Sequence, residues 1–141
     1  MGLFALVVGI GLFLSRSDVP PPIQKALDAY AVTPHVSGSA SRTPPDLSAE
    51  GFTLSDAGDV DLGGLPVTEF IYQAKDDTPV LLYQASVPFP KPLGTYSQSD
   101  PPGWGVHMGN AYFRGFSADG DFMVVGYWQH DVNTIARTTA G

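Results

Sequence analysis

The chain has no cysteine. That excludes disulfides, thiolate nucleophiles, iron–sulfur ligation and a covalent c-type haem link, and it leaves an oxidising compartment permitted. Basic residues are few: seven against 14 acidic ones, for a formal net charge of −7 at neutral pH. Arg16, Lys25, Arg42, Lys75, Lys91, Arg114 and Arg137 are scattered, with no basic stripe to neutralise phosphates. Nucleic acid is therefore not an expected partner. Histidine is scarce too. His35, His107 and His130 stand far apart, without the H-x-x-x-H or H-x-H spacing that would seed a metal site. The chain contains no G-x-S-x-G, P-loop or G-x-G-x-x-G motif. It reads as a non-enzyme with no cofactor, no bound metal and no evident small-molecule substrate.

What the chain does have is apolar residues, 43% of the total, and many turn formers, with 16 glycines and 13 prolines among 141 residues. This composition suits one small, turn-rich domain with a packed core and little long helix. Residues 3–14, "LFALVVGIGLFL", form an unbroken apolar run with no charge before Arg16. A secretory signal would place a basic residue ahead of such a run, and a buried core helix would need a nearby partner. The expectation is an uncleaved membrane anchor helix over residues 1–17. A full span takes about 20 apolar residues. The run is shorter, so either the bilayer thins or a partner packs beside it, or Met1 lies within a longer protein. The acidic remainder carries few positive charges to hold it in the cytoplasm and is expected on the extracytoplasmic side.

Residues 18–45 read as a short helix and linker. Ile23, Ala26, Leu27 and Tyr30 share one face of an amphipathic helix, proline suits its first turn, and Pro34 should end it. The polar stretch 33–45 has no periodicity. Residues 46–141 read as an antiparallel β domain. Strand patterns at 51–54 and 59–62 flank a turn at Ala57-Gly58, and Gly63-Gly64 form the next turn. Strands at 66–74 and 78–87 surround Lys75-Asp76-Asp77. Leu81, Tyr83, Ala85 and Val87 should share one face. Trp104, Val106 and Met108 should lie opposite His107. Strands at 111–117 and 121–128 surround Asp119-Gly120, a type I′ hairpin signal that calls for positive φ at both positions. Asp131 is expected to cap a terminal helix with Val132, Ile135 and Ala136 on its inner face. The fold class is α+β: an N-terminal membrane helix, a short amphipathic helix, an antiparallel β-meander sheet and a short C-terminal helix.

The stretch "PPDLSAEGF" at 44–52 joins linker to sheet. Pro45 biases Pro44 toward extended backbone. Asp46 can cap one tight turn, Leu47 is the turn's only large apolar anchor, and Gly51 should take positive φ to redirect Phe52 into the first strand. This stretch, "GGLPVTEFIYQAKDDTPVLLYQ" and "AYFRGFSADGDFMVVG", with the closing helix, resemble the extracytoplasmic, C-terminal domain of bacterial transmembrane anti-sigma factors. The resemblance covers about residues 20–137 and rests on turn and apolar residues. It implies a sensor-like or interaction domain on the periplasmic side of the bacterial inner membrane, anchored by a single pass. It does not extend to the cytoplasmic sigma-binding domain, often furnished with His and Cys zinc ligands, by which such proteins act. The alternative is a structural accessory subunit of a larger membrane protein complex.

A protein partner is expected, beside the membrane held by residues 3–14. The candidate contact surface is the proline-rich loop 88–103 with Phe89, Tyr96 and Trp104. Asp56, Asp59 and Asp61 read as turn-forming aspartates rather than a calcium loop, which would need a distant bidentate acid. Glu69, set in an apolar strand, is either a buried acid with a raised pKa or a residue pointed to water.

Overall fold

The computed structural model describes residues 19–32 and 38–141. The apolar run 3–14, Pro34 and His35 lie outside these residues. Among them are helix α1 (Pro21–Ala31), strands β1 (Thr53–Leu62), β2 (Leu65–Gln73), β3 (Pro79–Ala85), β4 (Tyr96–Ser99), β5 (Pro102–Met108), β6 (Ala111–Ala118) and β7 (Gly120–Gly126), and helix α2 (Gln129–Ala140). None of the described helices is long and apolar enough to cross a membrane.

All seven strands form one antiparallel sheet in the order β1-β2-β3-β7-β6-β5-β4. The expected meander is thus two meanders. The first runs outside-in through β1, β2 and β3. The chain then crosses to the far edge and winds back through β4, β5 and β6, so that β7 closes against β3. The central strands read as near-continuous apolar runs, "EFIY", "VLLY" and "FMVV", because both faces of the sheet are covered and alternation has no solvent side to report. One face packs Ile71, Leu81, Tyr83, Phe113, Met123 and Val125 beneath α1, whose Ile23 and Ala26 are fully buried. The other packs Phe70, Leu82, Tyr112 and Val124 beneath Val132, Ile135 and Ala136 of α2. Leu27 and Tyr30 complete the inner stripe of α1 as half-buried residues.

Several details differ from the sequence reading. No turn forms at Ala57-Gly58. β1 is a single ten-residue strand, because β2 offers an unbroken partner through Ala57↔Phe70 and Gly58↔Glu69, and a bulge between Leu54 and Asp56 absorbs the irregularity. The two-residue turn with positive φ at both positions is Gly63-Gly64, at 61° and 93°, whereas at Asp119-Gly120 only the glycine has positive φ. Gly109-Asn110 is a two-residue turn between the paired Met108 and Ala111. The proline-rich segment is not one long loop, since it contains β4 and the start of β5. Val87 points out, half-exposed, because β3 ends at Ala85. Asp131 sits inside the first turn of α2; Trp128 holds the N-cap position without a side-chain capping hydrogen bond to the helix.

Candidate functional site

The site begins at the turn that admits the chain to the sheet. The Asp46 carboxylate accepts hydrogen bonds from the Ser48 hydroxyl at 2.6 Å and the Ser48 amide at 3.0 Å. These bonds hold it below the usual carboxylate range, the hydroxyl foremost. Ser48–Glu50 form one 3-10 turn, which ends at Gly51 with φ 90°. Leu47 and Phe52, on either side of the turn, are buried against Phe70, Tyr72 and Leu82. The Tyr72 hydroxyl donates to the Pro45 carbonyl oxygen at 2.7 Å.

That turn helps line a cavity of ≈ 430 Å³: Glu50, Gly51 and Phe52 share the lining with Asp76, Trp128 and Asp131. Asp76 clamps two loops together. Its carboxylate accepts from the Thr78 hydroxyl at 2.6 Å and the Thr78 amide at 3.2 Å, closing the β2–β3 loop, and from the Trp128 indole N–H at 3.1 Å. The Thr78 hydroxyl is the main reason its carboxyl is held low. Asp131 is pushed up, by partial burial first and the Asp76 charge second. Beside them Tyr127 and Trp128 stand 52% and 50% exposed, ring centroids 4.7 Å apart and perpendicular. Two large aromatics are thus left in solvent at the β7–α2 junction while one of them is fixed by a charge-assisted hydrogen bond. The Tyr30 phenol of α1 abuts the Tyr127 backbone and is raised chiefly by burial.

Of Phe89, Tyr96 and Trp104, the structure brings two together: Phe89 and Trp104 line one cavity of ≈ 470 Å³ with Pro88, Lys91 and Phe122. Phe89 is buried in the core beneath α1, where it pins the crossover from β3 to β4. Trp104 is half-buried on that same face and lies across Gly115, its partner on β6. Tyr96 is 41% exposed on the edge strand β4, near Tyr112 of the opposite face. Tyr96 is set apart because it pairs with Gly105, the residue after Trp104, and successive residues of a strand face opposite sides of the sheet. Sequence reasoning missed Tyr127-Trp128, which the strand pattern assigned to 121–128; the signal was there in two large aromatics immediately before a helix start.

The remaining polar candidates are engaged in the fold. Asp59 accepts from the Thr68 hydroxyl at 2.6 Å and the Ser41 amide at 3.1 Å, and the first of these is the main cause of its lowered pKa. Arg42 reaches across to Thr68, the Gln84 carbonyl oxygen and Ser86, stitching the incoming segment to β2 and β3. Asp61 accepts from the Gly64 amide at 2.6 Å and fixes the glycine turn. No group of three or more potential metal ligands occurs among the described residues. His107 is exposed with its ring 4.7 Å from that of Tyr112, and His130 is exposed. Glu69 is buried, 7% exposed, and burial pushes its carboxyl above the ordinary range. Arg114 is 1% exposed beneath α2; it donates to the Asp100 carbonyl oxygen, to Asn133 Oδ1 and to the Pro101 carbonyl oxygen.

No protein-family model matches the chain, and a search of curated proteins finds no match.

Proposed function

We propose that this chain is a protein-interaction domain held at a membrane by residues 3–14, on the extracytoplasmic side, organised like the periplasmic part of a transmembrane anti-sigma factor. The observation that carries the reading is the exposed Tyr127–Trp128 pair, T-shaped and tied to the β2–β3 loop through Asp76. Exposed aromatics held in place lose little conformational freedom on docking, and Trp and Tyr are the residues that most often dominate interface energies. The "PPDLSAEGF" turn supports the resemblance by its form: Leu47 buried, Gly51 left-handed, Phe52 delivered to the core. The same turn walls the cavity beside Trp128, so the motif that carries the resemblance also shapes the docking surface.

The test is native-state mobility. Extracted from its own membrane in mild detergent, the wild type should migrate as an assembly larger than the chain. A Tyr127→Ser/Trp128→Ser variant should migrate alone while still unfolding in one cooperative transition. An unchanged assembly would refute the docking surface, and a wild type released by alkaline wash would refute the anchor.

A further inference from the structure

The end of the sheet beside the β6–β7 turn carries a cavity of its own, the ≈ 470 Å³ space that Phe89 and Trp104 line. Trp104 pairs with Gly115, and Ser117 with Asp121. Strand alternation puts all four on the α1 face, in line with Phe113 and Met123. A Cβ on Gly115 would fall 2.2–2.4 Å from three atoms of the indole. The ring is therefore laid against bare β6 backbone, which holds it in place. It is half-buried, and its open part lines the cavity. Phe89 and the rings of Pro88 and Pro102 add to the apolar lining.

Two opposite charges share that lining. The Asp121 carboxylate accepts from the Ser117 hydroxyl at 2.6 Å, which orients it and leaves further lone pairs to accept. The Lys91 ammonium, exposed on the β3–β4 crossover, supplies donors.

We propose that this cavity binds a neutral pyranose sugar, with the flat C–H face of the ring stacked on the Trp104 indole and its hydroxyls bonded to Asp121 and Lys91. Each sugar hydroxyl both donates and accepts, and the lining offers a strong acceptor and a strong donor. A charged ligand of either sign loses to one side chain what it gains from the other. A proline ring fits the indole but leaves both polar groups unused. Because the indole is already held in place, stacking costs it little freedom. The volume, in the lower half of the range for small-molecule pockets, suits a mono- or disaccharide. The site shares no residue with the Tyr127–Trp128 surface and does not depend on it.

Titration calorimetry on the full chain, in a detergent whose head group carries no sugar, tests the proposal with cellobiose, sorbitol and hexaproline. The expected result is saturable one-to-one binding of cellobiose and no binding of hexaproline. Sorbitol, which has the hydroxyls but no ring face, should bind at least tenfold more weakly. Lys91→Met and Asp121→Asn should each weaken cellobiose at least fivefold while the chain still unfolds in one cooperative transition. Trp104→Leu should abolish binding. Absence of saturable cellobiose binding, equal affinity for sorbitol or hexaproline, or wild-type affinity in Trp104→Leu or in both polar variants would each overturn it.

Discussion

The Tyr72 phenol donates a 2.7 Å hydrogen bond to the carbonyl oxygen of Pro45, 27 residues earlier. It latches the incoming chain to β2 just before the chain turns into β1. Leu47, 1% exposed, sits next to the latch and fills the core beneath the turn. Urea melts should therefore rank four substitutions. Leu47→Ala should cost about 2–5 kcal/mol, from lost burial and the cavity left behind. Tyr72→Phe should cost about 1 kcal/mol, the net worth of one hydrogen bond. Gly51→Ala should cost about 1 kcal/mol or more from φ alone, because the new Cβ meets only the flexible end of Lys75. Asp46→Ala should cost least, since its carboxylate is solvent-exposed.

Glu69 makes stability depend on pH in a definite direction. Burial raises its folded pKa, so the folded chain keeps a proton that the unfolded chain releases near pH 4.3, roughly the free glutamate value. Its contribution is fully present below that unfolded value and is lost as pH rises through the folded one. Glu69→Gln should accordingly gain stability relative to wild type as pH rises above about 4.3, the free glutamate value. Paired melts across that range check this. Parallel curves would show that the carboxyl ionises alike in both states.

Arg114 is a buried cation whose guanidinium joins three places: the Asp100 and Pro101 carbonyl oxygens between β4 and β5, and Asn133 on α2. A lysine ammonium lacks the planar fork needed to span them. Arg114→Lys should cost about 1.5–3 kcal/mol, the range for hydrogen bonds to a charged group. It should also speed hydrogen exchange at the α2 amides. Exchange confined to α1 would be the wrong pattern.

The Trp104 ring occupies the space that a Cβ on Gly115 would need. Gly115→Ala should push the indole outward and cost about 1–3 kcal/mol by overpacking. In a Trp128→Phe background, where Trp104 is the remaining tryptophan of the two, acrylamide quenching should rise on adding Gly115→Ala. Unchanged quenching would place the indole elsewhere.

How much of this was legible in the sequence depended on how local the signal was. The inner faces of both helices followed from 3.6-residue spacing, with Ile23, Ala26, Val132, Ile135 and Ala136 all fully buried. The Gly51 turn was legible because its signal lies within nine residues. Strand order was not, since nothing local says that the chain leaves β3 for the far edge; Phe89 looked like a loop aromatic because its core partners lie on strands distant in sequence. The Ala57-Gly58 turn was misread because glycine within a strand marks a close approach or bulge as readily as a turn. Tyr127-Trp128 was hidden by running on from a true strand, and Asp76, which holds Trp128, comes 52 residues earlier.

The central claim is that the domain docks a protein partner through Tyr127 and Trp128. Site-specific photocrosslinking in intact cells tests it most directly, with a benzophenone residue at position 127 and, as a control, at exposed Leu93 on the β3–β4 crossover. The account predicts one discrete adduct from position 127 that is lost on adding Trp128→Ser and absent from position 93. No adduct from 127, or the same adduct from both positions, would contradict it.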